Sequence, residues 1–246
     1  MPARLDIFAL PDIPAIREGD DLATLIAKGG LEPDDVVVIA QKVISKAEGR
    51  LVKLASVTPS ARAFELAETT GKDARVVELV LQESAKVLRA EPGLMIVEHR
   101  LGFIMANAGI DASNAGGEDQ VILLPTDPDR SARQLRDQIK SITGADVGVI
   151  ITDSWGRPWR LGTVGFAIGI AGVSGVIDMF DQPDLDGRPL QATTIGIADE
   201  LAAAASILMG QADEGQPIVI VRGLQASNDD SRAADMLRPA DQDLFR

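Results

Sequence analysis

The sequence predicts a mixed α+β architecture whose sheet is mainly antiparallel or mixed. Three observations support this prediction: continuous β-branched runs typical of buried strands, helical segments with clear start and stop signals, and no strict strand–helix alternation. A doubly wound parallel sheet would require that alternation. With no internal repeat or linker, residues 1–246 are predicted to form one domain of one or two subdomains, ending in a polar tail over 224–246.

In the first part of the chain, strand-like and helix-like segments follow one another. Residues 4–10 form an apolar run of strand length, and 19–30 has the acidic first turn and terminal glycines of a helix. The continuous β-branched run over 34–42 is typical of a buried strand. A Thr-Pro pair begins a helix over 58–71, and apolar periodicity predicts another helix over 74–90.

The middle of the chain is richer in strands. Short apolar runs predict strands over 94–98, 103–110 and 121–125. A helix begins at 127–128, where an Asp-Pro pair supplies the cap and the first helical residue. The run over 147–153 is again of the buried-strand type, and it ends on a carboxylate.

The last part of the chain contains a glycine-rich apolar stretch over 162–176. Its glycines do not match the GxGxxG spacing, so close packing explains them at least as well as a nucleotide does. A turn is predicted over 184–190, an alanine-rich helix over 197–210 and a last strand over 217–223. The polar turn between these last two elements could bring Gln211, Asp213 or Glu214 to a site, or it is a plain loop.

Composition limits the classes of function. The net charge of −13 argues against general binding to nucleic acid or to an anionic membrane. The lack of cysteine excludes thiolate chemistry, and the single histidine, His99, excludes a His-pair metal site. A metal would therefore use oxygen ligands, which favours Mg²⁺ or Mn²⁺. Because no signal peptide or membrane-spanning run is apparent, we expect a soluble cytoplasmic protein.

Two polar clusters follow predicted strands in the first half. In the predicted loop over 43–50, Lys46 could hold a phosphate as a point charge, although a solvated charged turn is the alternative. The spacing of a P-loop is absent. Within 107–114, Asp111 lies just past a strand end, where α/β-type sites collect ligands, although a structural turn would also explain these residues.

A third cluster surrounds Asp153 at the end of a buried strand. A carboxylate in that position is costly unless it is paired, hydrogen-bonded or bound to a metal. Asp111 and Asp153 could therefore hold a divalent cation together, with the Ser154 hydroxyl as a further ligand. Alternatively, Asp153 caps a turn and pairs with Arg157 or Arg160.

The loop after this carboxylate holds both tryptophans of a chain that has no tyrosine. Trp155 and Trp159 could anchor the loop to the core, or they could form a stacking wall for a planar ligand. Arg157 and Arg160 could meet carboxylate or phosphate groups bidentately. The residues alone thus indicate an enzyme that uses a metal and a phosphate.

Seven sequence blocks, in order along about residues 6–223, resemble the coenzyme F-420-0:L-glutamate ligase family, the γ-glutamyl ligases of deazaflavin coenzyme biosynthesis. The blocks are LPDIPAIREGDDL, VISKAEGR, NAGIDASN, TDSWGRPWRLG, VGFAIGIAG, DLDGRPL and ADELAAAASILMG. Any one block is a weak signal, whereas seven in the same order are specific. The resemblance implies the single-domain form of a homodimer with an unusual mixed α/β fold.

The resemblance also implies a reaction. Members of the family use GTP and Mg²⁺ or Mn²⁺, often helped by a monovalent cation such as K⁺, to add L-glutamate to the terminal carboxylate of coenzyme F-420-0. Phosphorylation of that carboxylate gives an acyl phosphate, which the amine of glutamate attacks, so that GDP and phosphate are released. The reaction needs no side-chain nucleophile, which agrees with a chain that has no cysteine.

The resemblance assigns roles to particular positions. The implied metal ligands are Asp111, Asp153, Ser154 and Gln211, and the last of these stands where other members often have Glu. The implied nucleotide contacts are Ile13, Pro14, Ala15, Ile16, Gln41, Lys42, Lys46 and Asn114. Some members carry small hydroxyl residues at the positions of Gln41 and Lys42. We expect catalytic roles for Lys46, Asp153 and Arg157. The expected substrate-binding residues are Trp155, Arg157, Trp159 and Arg160.

Two rival functions would use the same residues. A metal-dependent phosphohydrolase would pass the phosphoryl group to water instead of forming an amide. A non-catalytic carrier of a phosphorylated coenzyme would bind its ligand tightly without consuming GTP. Dependence of nucleotide turnover on both the coenzyme and L-glutamate distinguishes the ligase from these alternatives.

Overall fold

A computed structural model of the protein describes residues 4–117, 119–224 and 231–243. The strands are β1 (Asp6–Ala9), β2 (Val36–Ala40), β3 (Leu51–Lys53), β4 (Ser84–Glu91), β5 (Leu94–His99), β6 (Ile104–Ala106), β7 (Gln120–Ile122), β8 (Gly148–Arg157), β9 (Arg160–Ala171), β10 (Ile177–Asp178), β11 (Thr194–Ile195) and β12 (Ile218–Arg222). The helices are α1 (Leu22–Ala27), α2 (Gln41–Ala47), α3 (Ala61–Thr70), α4 (Ala74–Glu83), α5 (Pro128–Thr143) and α6 (Ile197–Met209). Short 3₁₀ turns lie between some of these elements.

The central sheet has the strand order β1-β12-β2-β8-β9. Only the β2–β8 pair is parallel, and the three other pairs are antiparallel. The sheet is therefore mixed and mainly antiparallel, which confirms the predicted α+β class. Three smaller antiparallel sheets accompany it, formed by β3 with β7, by β4 with β5 and β6, and by β10 with β11.

Both faces of the central sheet are covered, which explains the uninterrupted apolar runs of its inner strands. Val37 and Ile39 of β2 pack in one cluster with apolar residues of α1 and α5. Val36 and Val38, which point to the other face, pack against α6. A third cluster lies between α3, α4 and the β4–β5–β6 sheet.

The glycine-rich strand β9 owes two of its glycines to close helix packing, as predicted. A Cβ atom on Gly165 would lie 2.5 Å from the Ala202 carbonyl oxygen of α6. A Cβ atom on Gly169 would lie 2.4 Å from the Pro128 backbone at the start of α5. Glycine therefore lets helices on both faces approach this strand.

Three local predictions were wrong. Residues 43–50 were expected to form a loop, but most of them belong to α2, where Val43 and Ile44 are buried. The predicted helix over 74–90 ends at Glu83, because the residues after it pair with β5. The segment after Asp153 is not a loop but the β8–β9 hairpin. In each case tertiary pairing or burial overrides the local pattern.

Helix caps follow the sequence signals more closely. Asp127 caps α5 ahead of Pro128, as predicted, and its side chain accepts a hydrogen bond from the Arg130 backbone N–H. The cap of α3 is Ser60 and not the preceding Thr-Pro pair. Gly71 ends α3 in the left-handed conformation that favours glycine.

Within the described ranges, no helix is long and apolar enough to cross a bilayer. The polar tail predicted over 224–246 is described only in part, since 225–230 and 244–246 lie outside the described residues. Its visible part forms 3₁₀ turns at Ala233–Met236 and Ala240–Gln242. The first of these turns buries Ala233 against the main core cluster, so this part of the tail is ordered by packing.

Candidate active site

The candidate site lies along one edge of the central sheet. Strand β1 runs in the same direction as β2 and β8, because both β1 and β2 are antiparallel to β12 between them. The chain therefore leaves β1, β2 and β8, and enters β12, at the same edge. Ligands of α/β sheets commonly bind outside the carboxyl ends of such strands.

A cleft of about 420 Å³ opens at this edge. It brings together eleven of the residues that the sequence singled out: Ile13, Pro14, Ala15, Ile16, Gln41, Lys42, Lys46, Asn114, Asp153, Ser154 and Gln211. These residues come from five separate segments of the chain. The cleft therefore joins the predicted nucleotide contacts and most of the predicted metal ligands into one site.

Asp153 is the most perturbed acid in this cleft. Burial raises the pKa of Asp153 to about 7, against the opposing effects of a hydrogen bond from the Ser154 backbone and of the Lys42 charge. The nearby Asp111 carboxylate raises it further. A partly buried carboxylate whose ionisation is opposed by a second carboxylate would be stabilised by a cation bound to both.

Asp111 is the second carboxylate, and three groups hold it. Lys42 Nζ lies 2.6 Å from Asp111 Oδ2. The Ser113 backbone N–H donates to Oδ1 at 2.6 Å, and the Ser113 hydroxyl donates to Oδ2 at 2.9 Å. Burial works against ionisation, but these contacts outweigh it and lower the pKa of Asp111. These contacts fix the orientation of Asp111, which lies beside the cleft and is not one of its lining residues.

Ser154 and Gln211 complete the oxygen donors near Asp153. The Ser154 hydroxyl donates to Gln211 Oε1 at 2.8 Å, which links β8 to the turn after α6. No cluster of three or more His, Cys, Asp or Glu side chains that could hold a metal is found among the described residues. The oxygen donors that the sequence singled out are two carboxylates, a hydroxyl and an amide oxygen, which are the ligand types that Mg²⁺ and Mn²⁺ prefer.

Helix α2 presents three polar side chains to the cleft. Burial, and then the neighbouring Lys42 ammonium, lower the pKa of Lys46. Gln41 is only 2% exposed, and its Oε1 accepts a hydrogen bond from the Ser45 hydroxyl. Its buried Nε2 has no hydrogen-bond partner among the residues that the structure describes. Such an orphaned donor beside a cleft indicates a place for an acceptor atom of a ligand.

The predicted substrate-binding residues of the β8–β9 hairpin lie apart from this cleft. Trp155 stacks on Phe166 with ring centroids 4.8 Å apart, and it meets Phe103 at 5.8 Å. Trp155 therefore anchors the hairpin to the core, the first of its two predicted alternatives. Trp159 is 87% exposed near the hairpin tip.

The two arginines of the hairpin do not line the cleft either. Arg157 donates to the Gly162 carbonyl oxygen across the hairpin at 3.2 Å, and Arg160 is exposed. The alternative prediction was that Asp153 pairs with one of these arginines. Within the part of the chain that the structure describes, no ion pair joins either arginine to Asp153. Their roles in binding substrate stay predictions.

One part of the cleft was underestimated from the sequence. The turn after α6 contributes Gly210, Ala212, Asp213, Gly215, Gln216 and Pro217 to the lining, in addition to Gln211. The Pro217 carbonyl oxygen accepts the Ala40 N–H at 2.9 Å, which pins this turn to the end of β2. A polar, glycine-containing turn between a helix and a strand was the only sequence signal for this wall.

Known proteins resemble this chain in sequence over nearly its whole length. A family model described as F420-0:Gamma-glutamyl ligase matches residues 12–223. A coenzyme F420:L-glutamate ligase of Methanopyrus kandleri is 50% identical over 236 residues, which are 94% of this chain and 93% of the relative. The ligases of the same name from Archaeoglobus fulgidus and Methanocaldococcus jannaschii are 46% and 42% identical, and each alignment covers 99% of this chain and 97% of the relative.

Proposed function

Because this chain belongs to the F420-0:gamma-glutamyl ligase family, we propose that it is a GTP- and divalent-metal-dependent ligase that joins L-glutamate to coenzyme F-420-0. The glutamate would be added to the terminal carboxylate of the coenzyme, with release of GDP and phosphate. The single observation that best supports this is the cleft itself. Its lining includes Asp153, Ser154 and Gln211 as well as Lys42 and Lys46 of α2.

The nucleotide would lie along the lysines and the segment after β1. Lys42 and Lys46 are four residues apart on α2, so both ammonium groups face the same space, as a polyphosphate requires. The unpartnered Gln41 Nε2 would donate to an acceptor atom of the nucleotide. Ile13 to Ile16 and Asn114 would form further parts of its pocket.

Asp111, Asp153, Ser154 and Gln211 fit a site for Mg²⁺ or Mn²⁺, because all four offer oxygen donors. An ion bound there would offset the charge that develops on the transferred phosphoryl group. Asp153 has a reason to bind a cation, since burial and the Asp111 charge both oppose its ionisation in the protein alone. A monovalent cation such as K⁺ is a further part of this proposal.

The chemistry follows from holding the reactants together. The terminal carboxylate of the coenzyme attacks the γ-phosphorus of GTP, the bond to the β-phosphate oxygen breaks, and GDP leaves. The glutamate amine then attacks the acyl carbon, loses a proton and displaces phosphate. Lys46 would neutralise the phosphoryl oxygens during both steps, and no side-chain nucleophile takes part.

A homodimer is also part of the proposal. Large apolar side chains are exposed on the β8–β9 hairpin and on the excursion between β10 and β11. They include Trp159 and Leu161 on the hairpin, and Phe180 and Leu185 on the excursion. Contact with a second copy would cover such side chains. Light scattering should give twice the mass of one chain.

The rival functions make different predictions for one experiment. Purified protein is incubated with GTP, Mn²⁺, L-glutamate and coenzyme F-420-0, and the coenzyme is then analysed by mass spectrometry. A product that is heavier by one or more glutamyl units supports the ligase. GDP release with an unchanged coenzyme would favour the phosphohydrolase, and coenzyme binding without GDP release would favour the carrier.

A further inference from the structure

Lys42 occupies the space beside Asp111 that a metal ion would need. Its Nζ lies 2.6 Å from Asp111 Oδ2 and 2.6 Å from the Ser113 hydroxyl oxygen. The Lys42 side chain is 28% exposed and that of Asp111 is 39% exposed, so the pair is partly shielded from water. A lysine ammonium is a compact cation with three donors. Here one of its neighbours is a carboxylate oxygen of the candidate metal site, and the other is the Ser113 hydroxyl that donates to the same carboxylate.

The same ammonium is within electrostatic reach of the rest of the site. Its charge lowers the pKa of Asp153 and that of Lys46. Lys42 therefore contacts Asp111 directly and shares the cleft with Asp153 and Lys46, close enough for its charge to act on both. This position lets it interact with either of two partners: the carboxylates, or an anion held beside Lys46.

We propose that Lys42 is a tethered cation that neutralises Asp111 when no divalent metal is bound, and that the metal must displace it. This inference rests on the proposed function for the metal site at Asp111. Once displaced, the ammonium turns to the phosphate oxygens of the nucleotide, toward which Lys46 already points. Metal and nucleotide then each favour the same position of Lys42.

Two consequences follow from this exchange. The ion pair must be broken before Asp111 can bind the metal, so Lys42 weakens metal binding in the absence of nucleotide. Because nucleotide draws Lys42 away from Asp111, nucleotide should strengthen metal binding, and by reciprocity metal should strengthen nucleotide binding. The coupling between metal and nucleotide binding would thus depend on one side chain of α2.

The test is titration of Mn²⁺ into the full chain, followed by electron paramagnetic resonance, with and without GDP. Without GDP, Lys42→Met should bind Mn²⁺ about 10-fold more tightly than the wild type. GDP should tighten Mn²⁺ binding to the wild type by about 5-fold or more, and should do so much less in Lys42→Met. Asp111→Asn should weaken Mn²⁺ binding both in the wild type and when it is combined with Lys42→Met.

The matched control is Lys46→Met, which removes the same charge from the same cleft without breaking a contact to Asp111. It should change Mn²⁺ affinity by less than about 3-fold in the absence of GDP. Equal effects of the two substitutions would overturn the inference, because general electrostatics would then suffice. Unchanged or weaker Mn²⁺ binding by Lys42→Met, or no Mn²⁺ binding by any of the proteins, would also overturn it.

The outcome is separable from that of the proposed function. If the wild type forms glutamylated coenzyme but Lys42→Met affects Mn²⁺ affinity no more than Lys46→Met does, the ligase function is supported and the proposed displacement of Lys42 is contradicted. If Lys42→Met selectively strengthens Mn²⁺ binding but the wild type forms no glutamylated coenzyme, the displacement of Lys42 is supported and the ligase function is contradicted.

Discussion

Ala40 and Thr152 are direct partners in the parallel register of β2 and β8. The residues that follow each of them, Gln41 and Lys42 at the start of α2 and Asp153 in β8, therefore enter the same cleft. Two segments more than one hundred residues apart in the chain are joined by this one pairing. It places the nucleotide-binding candidates beside the metal-binding candidates, and the proposed chemistry depends on that arrangement.

Asp153→Asn should lower the turnover number by at least about 100-fold, because an amide cannot supply the charge that a divalent cation requires. The free energy of unfolding should not fall, since burial penalises the charged carboxylate and not the amide. Metal-dependent GDP release and chemical unfolding check the two parts. Asp199→Asn is the matched control, because Asp199 is also a carboxylate whose pKa is raised by burial, but it lies outside the cleft. Full metal-dependent turnover by Asp153→Asn would rule out the ligand role.

Gln41→Leu should weaken GDP binding by about 10-fold, because the buried Nε2 would no longer donate to the nucleotide. Calorimetric titration of GDP measures this directly. Gln82→Leu removes an amide of the same size from the exposed surface of α4, where its Nε2 donates to Glu78, and should leave GDP affinity unchanged. An unchanged affinity of Gln41→Leu would mean that its orphaned donor serves some other purpose than nucleotide binding.

Much of this site could be predicted from residue types and their place after apolar runs. Asp153 was identified because a carboxylate at the end of a buried strand needs a partner, and it does lie in the cleft. The contact between Lys42 and Asp111 could not be predicted, because the two residues are 69 positions apart and only the fold brings them together.

The residues of the β8–β9 hairpin show where prediction from sequence neighbours failed. Trp155, Arg157 and Trp159 were grouped with the site because they closely follow Asp153 in the sequence. Trp155 and Arg157 instead pair with β9 in the hairpin, Trp155 is held by its stacking on Phe166, and none of the three lines the cleft, so sequence proximity did not become proximity in space. The helix predicted over 74–90 was wrong for a similar reason, because pairing with β5 outweighed the helical pattern.

Arg222→Met should lower the free energy of unfolding by about 3 kcal/mol, because it leaves the buried Asp35 carboxylate without its cation. Arg222 donates to both carboxylate oxygens of Asp35, at 2.8 and 2.7 Å. Arg4→Met is the control, since the Arg4–Asp6 pair is exposed and should contribute less than about 0.5 kcal/mol. Denaturant unfolding gives the comparison. Addition of Asp35→Asn to Arg222→Met should recover part of the loss, and no recovery would contradict this explanation.

Acid should destabilise the fold through Glu83 at the end of α4. Burial alone would raise the pKa of Glu83, but the facing His99 ring, Arg50 and Arg100 outweigh it and lower the pKa to about 2. Since the folded pKa is below the ordinary value of 4.5, this stabilisation is complete above about pH 4.5 and is lost as the pH falls toward 2.

The expected contribution of Glu83 is about 2 kcal/mol of unfolding free energy at neutral pH. Urea unfolding of the wild type and of Glu83→Gln between pH 7 and pH 3 measures it. The difference between the two proteins should shrink as the pH falls through this window. A difference that is constant with pH would show that Glu83 acts by packing and not by charge.

The central claim is that this cleft couples GTP cleavage to amide formation. The most direct measurement is the ratio of GDP released to glutamyl bonds formed, with coenzyme F-420-0 and L-glutamate each omitted in turn. The account predicts one GDP for each amide bond, and no steady release of GDP when either substrate is missing. Steady GDP release that is equally fast without both substrates would contradict the account and identify a phosphohydrolase.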